Sequence, residues 1–382
     1  MAGNTDLGAA KKNKNDEFYT QYSDIEAEMN AYVEYNPDVF RGKTILLPCD
    51  DPEWSNFTKY FAYNFERFGL KKLISTSYAK SAGSRQLTLF EEESPLYDES
   101  KHDTHGKLFT LTRDKDGSGN IDVDDIEFSG YLEGDGDFRS KEVCELRNEA
   151  DIIITNPPFS LFKEFIKWIM NVNKQFIIIG SKNAVSYKDV FPLIQNNKIW
   201  FGPGFPGGNA YFKTIPQNGR EFANGVYDES TGLVKFRNVG WFTNIDHGAR
   251  HEYLQLDTLK HNLKYNKSLL KKLEIYNSNE YVKYVNYNAI EVPTVEAIPS
   301  DYNGTMGVPI TFLDKYNPNQ FEILGFSAEL ADSMSQYVKK KECMSGGRRF
   351  YLSLPDDKDK QKGYKYHRCY DRIAIRHKKV TE

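Results

Sequence analysis

The chain has 382 residues, a formal net charge of −4, 39% hydrophobic residues and 14% aromatic residues. This composition supplies a core for one large domain or two ordinary ones. Its four cysteines form no CxxC pair, no apolar signal segment follows Met1, and no apolar run has membrane length. A zinc site, a disulfide framework, a signal peptide and a membrane span are therefore not expected, and the composition favours a reducing cytoplasm.

Strand and helix patterns alternate along the first half of the chain. Residues 1–15 are polar and are expected to form a mobile arm. The apolar run Thr44–Leu47 predicts a buried parallel strand. Aromatic residues at helical spacing from Phe57 to Phe68 predict a helix that ends at Gly69, and Lys72–Ser75 predicts a second strand. This strand–helix–strand order is typical of a doubly wound α/β sheet.

The alternation resumes after a polar segment, residues 80–107, which predicts a loop. The clearest buried strand, Asp151–Thr155, runs into two prolines that must end it. The remaining predicted elements are a helix at Leu161–Met170 and strands at Leu108–Thr112, Ile126–Phe128, Phe176–Gly180 and Gly240–Asn244. After about residue 250 the alternation fades, which predicts a second domain.

An Asp-rich segment matches most of the spacing of an EF-hand calcium loop but lacks its final Glu. The matching residues are Asp114, Asp116, Ser118, Gly119, Asp122 and Asp125. The flanking segments are predicted to be strands, whereas an EF-hand requires helices. Asp-Gly turns in a hairpin explain the composition equally well. No metal site is assigned, and calcium stays open only as a structural accessory.

The strongest chemical signal is the tetrapeptide Asn156-Pro157-Pro158-Phe159, which directly follows the predicted strand Asp151–Thr155. Ligands of open α/β sheets bind at the carboxyl ends of the strands. The Asn156 side-chain oxygen and the Pro157 carbonyl oxygen are two acceptors that can hold an amine in a fixed direction, and Pro158 stiffens the loop. Phe159 offers a face on which an extruded base can stack.

The tetrapeptide resembles the catalytic motif of amino-methyltransferases, in which Asn in first place favours adenine. More of the chain resembles one group, the EcoRI-type adenine-specific DNA methyltransferases. The similar stretches are Asp16–Gln21, Cys49–Pro52, Gly134–Ser140, Thr155–Phe162 and Met306–Leu313. The resemblance implies an α/β fold: a Rossmann-like S-adenosylmethionine-dependent methyltransferase domain over residues 1–250, followed by a C-terminal DNA target-recognition domain over residues 251–382.

The resemblance also implies which residues bind the cofactor, S-adenosylmethionine. They are Phe18, Tyr19 and Thr20 of the N-terminal segment, Asp50, Asp51 and Pro52 after the first strand, and Asp137 with Phe138 as acceptor and flanking ring for the cofactor adenine. The sequence departs from the pattern in two places. Pro48–Pro52 contains no GxG turn, and Lys72–Tyr78 contains no acidic residue for the ribose.

Positive charge is concentrated near the C-terminus and is interleaved with tyrosines, a combination typical of nucleic-acid surfaces. The cationic residues are Lys339, Lys340, Lys341, Arg348, Arg349, Lys362, Lys365, Arg368, Arg372, Arg376, Lys378 and Lys379. Of these, we expect Arg348, Arg349, Lys365, Arg368 and Arg372 to bind double-stranded DNA. A cognate restriction endonuclease is the protein partner considered.

The expected reaction is site-specific methylation of adenine N6 on a base flipped out of duplex DNA, by an enzyme of restriction–modification or orphan type. The Gly- and Pro-rich segment Gly202–Gly208 lacks the Lys-Ser/Thr ending of a phosphate-binding loop and is expected to be a mobile loop near the target base. One alternative keeps the chemistry and changes the acceptor to an RNA base or a protein glutamine. Another is a non-catalytic, calcium-responsive DNA-binding protein that works through the Asp-rich segment.

Overall fold

The computed structural model describes residues 18–79, 89–92, 94–205, 208–213, 225–338, 347–355 and 364–378. The chain divides into a first compact unit, Met1–Val190 with Ile199–Gly248, and a second, Phe191–Lys198 with Ala249–Glu382. Nothing in the sequence indicates that Phe191–Lys198 belongs to the second unit. Several sequence predictions lie outside the described residues, namely the arm at residues 1–15, Asp16, Glu17, Lys339, Lys340, Lys341, Lys362 and Lys379.

The first unit contains twelve described strands. They are β1 Tyr19–Thr20, β2 Thr44–Leu47, β3 Lys72–Thr76, β4 Lys107–Leu111, β5 Glu127–Tyr131, β6 Ile152–Thr155, β7 Gln175–Ser181, β8 Trp200–Phe201, β9 Ala210–Lys213, β10 Tyr227–Asp228, β11 Leu233–Phe236 and β12 Val239–Thr243. Its α-helices are Tyr22–Tyr35, Asn56–Tyr63, Phe65–Phe68, Leu89–Glu92, Glu99–His102, Lys141–Glu149 and Phe162–Met170. Short 3-10 helices lie at Val123–Asp125, Phe159–Leu161 and Lys182–Ser186.

The main sheet of this unit has eight strands in the order β5-β4-β3-β2-β6-β7-β12-β8. The four central strands, β3, β2, β6 and β7, are parallel, and the outer strands are antiparallel. The predicted α/β alternation is therefore confirmed, with the central strands within one residue of their predicted bounds. β2 and β6 are buried at every position, which is why each appears in the sequence as a short apolar run.

The predicted helix from Phe57 to Phe68 is two helices that meet at Asn64. Asn64 Nδ2 donates to the Tyr60 carbonyl at 2.9 Å, and this local side-chain bond competes with helix continuation. Gly69 ends the second helix in the left-handed conformation, with φ 60°. The aromatic spacing is kept across the break, because Phe57 and Phe68 are both buried.

The loop prediction for residues 80–107 is wrong for its described part, which contains two short helices and a buried charged network. Glu91 and Lys107 side chains are fully buried, and Lys107 Nζ donates to Glu91 Oε2 at 2.6 Å. His102 Nδ1 lies 3.1 Å from Glu91 Oε1, and the Tyr131 hydroxyl donates to the same oxygen at 3.1 Å. Buried charges are tolerated when they are mutually paired, so polar composition here does not indicate exposure.

A small second sheet joins the N-terminal segment to a later part of the first unit. Its order is β1-β9-β11-β10, and all its pairs are antiparallel. Thr20 pairs with Phe212, and Phe212 also pairs with Val234. The buried and exposed residues of β9 alternate, so one face of this sheet contributes to the core of the unit.

The second unit contains a four-stranded sheet and a separate hairpin. Its strands are β13 Ile290–Glu291, β14 Met306–Pro309, β15 Phe321–Phe326, β16 Tyr351–Pro355, β17 Tyr364–Arg368 and β18 Arg372–His377. The sheet order is β13-β14-β18-β15, and β16 pairs with β17. The α-helices are Phe191–Gln195, Leu259–Tyr265, Lys267–Tyr276 and Ser327–Leu330, with 3-10 helices at Val295–Ala297, Ile310–Lys315 and Met334–Gln336, and the 3-10 helix Gly248–His251 spans the boundary between the units. Across the described part of the chain, none of the helices has the length and apolar character needed to cross a membrane.

Candidate active site

The carboxyl ends of β2, β3 and β6 meet at one edge of the main sheet, because these strands are parallel neighbours. Side chains at the strand ends tie the edge together. Thr155 Oγ1 donates to the Pro48 carbonyl at 3.0 Å, and Cys49 N donates to Thr76 Oγ1 at 3.2 Å. The loops that follow β2 and β6 are therefore fixed side by side, as the sequence predicts for a ligand-binding edge.

The tetrapeptide that begins at Asn156 lies at this edge, immediately after β6. Asn156 Nδ2 donates to the Phe18 carbonyl at 2.8 Å. This bond leaves the amide oxygen of Asn156 as an acceptor, and no hydrogen bond within the described part of the chain occupies it. Pro157 is buried, and the φ of −53° at Pro158 fixes the direction of the loop. The acceptor pair predicted from the sequence is thus held by packing and by the N-terminal segment.

Phe159 belongs to a cluster of aromatic rings. Its ring centroid lies 5.9 Å from that of Phe236 and 6.3 Å from that of Phe212, both in edge-on contacts. Phe18 lies 4.7 Å from Phe236, also edge-on. Phe159 is only partly buried by these contacts. The sequence analysis missed Phe212 and Phe236, although the alternation of apolar and polar residues in β9 was a signal for an inward-facing Phe212.

Two buried aspartates follow β2. Asp50 Oδ1 accepts a hydrogen bond from the Ser55 hydroxyl at 2.7 Å, and Asp51 Oδ1 accepts one from the Glu53 amide at 3.0 Å. Within the described part of the chain, the second oxygen of each aspartate is buried and makes no hydrogen bond, and the same holds for Glu53 Oε2 and Thr20 Oγ1; the nearby Thr155 hydroxyl donates to the Pro48 carbonyl. Burial raises the pKa of Asp50 to about 7 and that of Asp51 to about 6, since a carboxylate loses its hydration there.

These unpartnered acceptors fit a ligand that carries positive charge or N–H donors, because buried acceptors without partners are costly. Pro52 is also buried beside them. The missing glycine turn is explained by Cys49, which adopts a left-handed conformation with φ 66°, a region that glycine usually occupies. Glu53 was not predicted from the sequence, and its only signal is its position three residues after Asp50.

The loop that contains Asp137 and Phe138 lies beside the end of β3. Ala79 N donates to the Asp135 carbonyl at 2.9 Å. Gly136 has φ 81°, and a Cβ at this position would collide with the Ser77 carbonyl oxygen. Close backbone contact therefore requires glycine here and places Asp137 at the same edge of the sheet as Asp50.

Asp137 and Phe138 have partners that the sequence did not indicate. Arg139 makes a bidentate ion pair with Asp137, with Nε–Oδ1 2.8 Å and Nη2–Oδ2 2.5 Å. The Phe138 ring is 3% exposed and packs against Phe165 and Trp168, at 4.9 and 5.5 Å between centroids. The expected ring contact of Phe138 with the cofactor adenine is therefore not supported, because the ring is part of the core.

The predicted DNA-binding residues differ in what their side chains do within the second unit. Arg348 and Arg368 are exposed, and Lys365 is half-buried. Arg349 forms an ion pair with Asp371. Arg372 is 9% exposed and its Nη2 donates to Glu291 Oε1 at 2.6 Å. The expected contact of Arg372 with DNA is not supported, because its guanidinium neutralises a buried carboxylate.

The Asp-rich segment forms a hydrogen-bonded turn between two strands. Oxygen atoms of Asp114, Asp116 and Asp125 lie within 4.8 Å of one another. They accept backbone N–H bonds within the segment, such as Gly117 N to Asp114 Oδ1 at 2.6 Å and Lys115 N to Asp125 Oδ1 at 2.7 Å. The flanking elements are the strands β4 and β5, as predicted, and not the helices of an EF-hand.

The segment Gly202–Gly208, which the sequence predicts to be mobile, is tied to the core in its first half. Gly204 N donates at 3.1 Å to Glu28, a fully buried carboxyl group whose other oxygen accepts from the Tyr32 hydroxyl at 2.9 Å. Burial raises the pKa of Glu28 to about 8. Phe205 stacks on Trp241, with ring centroids 5.5 Å apart. The next two residues of the segment, 206 and 207, lie outside the described part of the chain.

The chain is similar to known methyltransferases along nearly its whole length. The family described as "Adenine-specific methyltransferase EcoRI" matches residues 6–378. "Type II methyltransferase M.EcoRI" of Escherichia coli is 41% identical over 85% of this chain and 90% of its own length. "Type II methyltransferase M.MgeORF184P" of Mycoplasma genitalium is 34% identical over 82% of this chain and 84% of its own, and "Type II methyltransferase M.MpnI" of Mycoplasma pneumoniae is 32% identical over 82% and 83%.

No solved structure is significantly similar to the chain. The family match covers both compact units and includes the acceptor pair after β6 and the buried aspartates after β2. The chain belongs to the EcoRI family of adenine-specific methyltransferases.

Proposed function

We propose that the protein transfers a methyl group from S-adenosylmethionine to N6 of an adenine that is flipped out of duplex DNA, as the modification enzyme of a Type II restriction–modification system. The observation that carries the proposal is the juxtaposition at one sheet edge. The acceptor pair of Asn156 and Pro157 follows β6, and the buried acceptors of Asp50 and Asp51 follow its neighbour β2.

The proposed cofactor site is formed by Phe18, Tyr19 and Thr20, by Asp50, Asp51 and Pro52, and by the loop of Asp137. Phe138 acts as an anchor that holds this loop in the core. The unpartnered oxygens of Asp50, Asp51 and Glu53 match the positive charge of the cofactor. When bound, S-adenosylmethionine would supply the methyl group for a new N–C bond at adenine N6; the S–C bond of the cofactor breaks, its thioether leaves, and N6 loses one proton to solvent.

Asn156 and Pro157 orient the acceptor amine in this mechanism. The lone pair of an aromatic amine is delocalised into the ring, which makes the nitrogen a weak nucleophile. Two acceptors aimed at its hydrogens draw the nitrogen towards tetrahedral geometry and stabilise the positive charge that develops on it. The bond from Asn156 Nδ2 to the Phe18 carbonyl fixes the amide so that its oxygen is the group presented.

Phe159 receives the flipped adenine. The edge-on contacts with Phe212 and Phe236 hold the ring in place while leaving it partly exposed. Stacking of the extruded base on such a ring offsets part of the energy of unstacking it from the duplex. Target recognition is assigned to residues 251–382, where Arg348, Arg349, Lys365 and Arg368 contact DNA, and a cognate restriction endonuclease completes the system.

Methyl transfer from labelled S-adenosylmethionine to unmethylated duplex DNA, followed by nucleoside analysis, tests the proposal. We expect the label in N6-methyladenine. Label in RNA or in protein glutamine instead would keep the catalytic motif and replace the acceptor. Methyl transfer that persists in excess chelator would count against the calcium-responsive alternative, whose metal ligands would be the carboxylates of Asp114, Asp116 and Asp125, the group of potential metal ligands found among the described residues.

A further inference from the structure

One aromatic side chain of the second unit is almost fully exposed. Tyr370, in the turn between β17 and β18, is 90% exposed, the largest exposed fraction among the large hydrophobic side chains in the described part of the chain. A tyrosine ring normally buries most of its apolar surface. At 90% exposure, almost all of the apolar surface of this ring is open to contact with another molecule.

The backbone on both sides of Tyr370 is held in place. Cys369 is buried, and its amide donates to the Phe350 carbonyl at 2.9 Å. On the other side Asp371 is paired with Arg349, and Arg372 N donates to Ser327 Oγ at 3.2 Å. The ring thus projects from a fixed turn, so that little conformational entropy of the backbone is lost when a partner binds.

The surroundings of Tyr370 favour a polyanion over an apolar partner. Two exposed arginines lie near it: Arg368 is two residues away in the chain, and Arg348 precedes Arg349, the ion-pair partner of Asp371. The negative charge of Asp371 is balanced by Arg349. A rigid aromatic ring among cations is the combination with which proteins stack on bases while they neutralise phosphates.

We infer that Tyr370 is a DNA-contacting residue whose ring inserts at a base step of the bound duplex, while the neighbouring arginines contact the phosphates. The inference rests on the proposed function, because it takes duplex DNA as the substrate. It adds a residue of the second unit that positions the duplex, a role different from that of the acceptor pair of Asn156 and Pro157.

Three variants of Tyr370, to Ala, Phe and Trp, and one control test the inference on the full-length protein. The DNA is a duplex that carries the methylated sequence, once methylation has been mapped. Tyr370→Ala is expected to raise the Kd for the duplex about tenfold, as loss of one base-stacking contact does, and Tyr370→Phe should bind like the parent. The control is Tyr63→Ala, which removes another exposed tyrosine, 61% exposed on the helix Asn56–Tyr63. It should leave the Kd unchanged.

Tyr370→Trp gives a direct readout of stacking. Its fluorescence, measured against the background of the four tryptophans of the parent, should be quenched when duplex is added and protected from iodide. A mismatch at the contacted step leaves its bases partly unstacked before the protein binds. Tyr370→Ala should therefore bind such a duplex more tightly than it binds the matched duplex.

The outcomes separate the two proposals. If the parent methylates duplex DNA but Tyr370→Ala binds it equally well and Tyr370→Trp is not quenched, the insertion is overturned and the proposed function stands. If the parent neither binds nor methylates duplex DNA, both fall. An unchanged melting temperature of the Tyr370 variants assigns any loss of affinity to the DNA contact and not to misfolding.

Discussion

At the scale of single residues, the two ends of the Asn156 amide have different surroundings. Nδ2 holds the Phe18 carbonyl at 2.8 Å, and Oδ1 is the proposed acceptor for the target amine. We expect Asn156→Ala to reduce kcat for methyl transfer by about two to three orders of magnitude. The Kd for S-adenosylmethionine, measured by calorimetry, should rise only modestly, because the variant also removes one hydrogen bond to the N-terminal segment.

Asn56 provides a matched control for this variant. Its amide also holds the N-terminal segment, by donating to the Thr20 carbonyl at 2.7 Å. Asn56→Ala should therefore weaken cofactor binding while transfer at saturating cofactor is retained. If Asn156→Ala lost cofactor binding and transfer to the same extent, its amide would be only a clamp on the segment, and the assignment as acceptor would be wrong.

The buried aspartates predict a pH dependence. The pKa values of about 7 for Asp50 and about 6 for Asp51 are raised above those of the unfolded chain, so both groups favour folding while protonated. This contribution is present at acid pH and is lost as pH rises through 6 and 7. A cationic cofactor prefers the ionised carboxylates. We therefore expect the affinity for S-adenosylmethionine to rise about tenfold between pH 5.5 and 8, with proton release at the lower pH values.

Calorimetry in two buffers of different ionisation enthalpy measures both the affinity and the released protons. Asp51→Asn removes one of the two titrating groups, and it should bind more weakly and with a smaller pH dependence. Affinity that stays constant across this range would show that the aspartates do not contact the charged groups of the cofactor.

The sequence predicted Asn156 and Pro157 from their place directly after a clear apolar strand, and Asp50 and Asp51 from the family resemblance; the structure places all four at one edge of the main sheet. The sequence could not identify Phe212 or Phe236, since an inward-facing phenylalanine beside the site has the same local pattern as any core phenylalanine. Arg372 was misassigned for a related reason. Its pairing partner, Glu291, is distant in sequence, and only the fold brings the two together.

At the scale of elements, the contact between the Asp135–Asp137 loop and the end of β3 depends on glycine. Gly136 has φ 81°, and a Cβ there would collide with the Ser77 carbonyl. Gly134, two residues earlier, has open space around the position of a Cβ. We expect Gly136→Ala to lower the free energy of unfolding by about 2 kcal/mol or more, and Gly134→Ala to change it by less than about 0.5 kcal/mol.

Urea denaturation measures the free energy of unfolding of both variants. The Kd for S-adenosylmethionine measures the effect of each variant on the cofactor site. Gly136→Ala should also weaken cofactor binding, because Asp137 follows directly. Equal stability of the two alanine variants would mean that the loop can move away from β3 without cost.

How well the sequence predicted each strand or helix depended on which residues the element buries. β2, β6 and β7 were found within a residue because parallel strands covered on both faces are continuous apolar runs. The helices at Leu89–Glu92 and Glu99–His102 were missed, since each is a single turn whose buried residues, Glu91 and His102, are polar. Glu91 pairs with Lys107, and His102 contacts Glu91, so a polar network joins the two helices.

At the scale of the whole molecule, a net charge of −4 must be reconciled with a polyanionic substrate. The proposal assigns binding to a local cationic surface, for which counterion release sets the salt dependence. We expect Arg348→Gln combined with Arg368→Gln to reduce the slope of log Kd against log salt by about 2, as measured by fluorescence anisotropy of a labelled duplex.

Arg372→Gln is the contrasting variant. It leaves the buried Glu291 carboxylate without its ion-pair partner, and we expect a loss of about 3–5 kcal/mol in the free energy of unfolding. The salt dependence of the remaining folded protein should be that of the parent. A parental slope in the double variant would exclude Arg348 and Arg368 from phosphate contact.

The chain leaves the first unit at Phe191, returns at Ile199 and leaves again at Ala249, so neither unit is one continuous stretch. The eight residues Phe191–Lys198 pack with the rest of the second unit, where Phe191 contacts Phe326 and Gln195 Nε2 donates to the Leu324 carbonyl at 2.9 Å. A fragment that stops at Gly248 would expose Phe191 and Ile194, which are 1% and 4% exposed in the intact chain. Exchange of the second unit between relatives would therefore have to transplant two separate pieces of sequence, and a swap at the single junction near residue 248 would leave both hybrids with mismatched halves of one core.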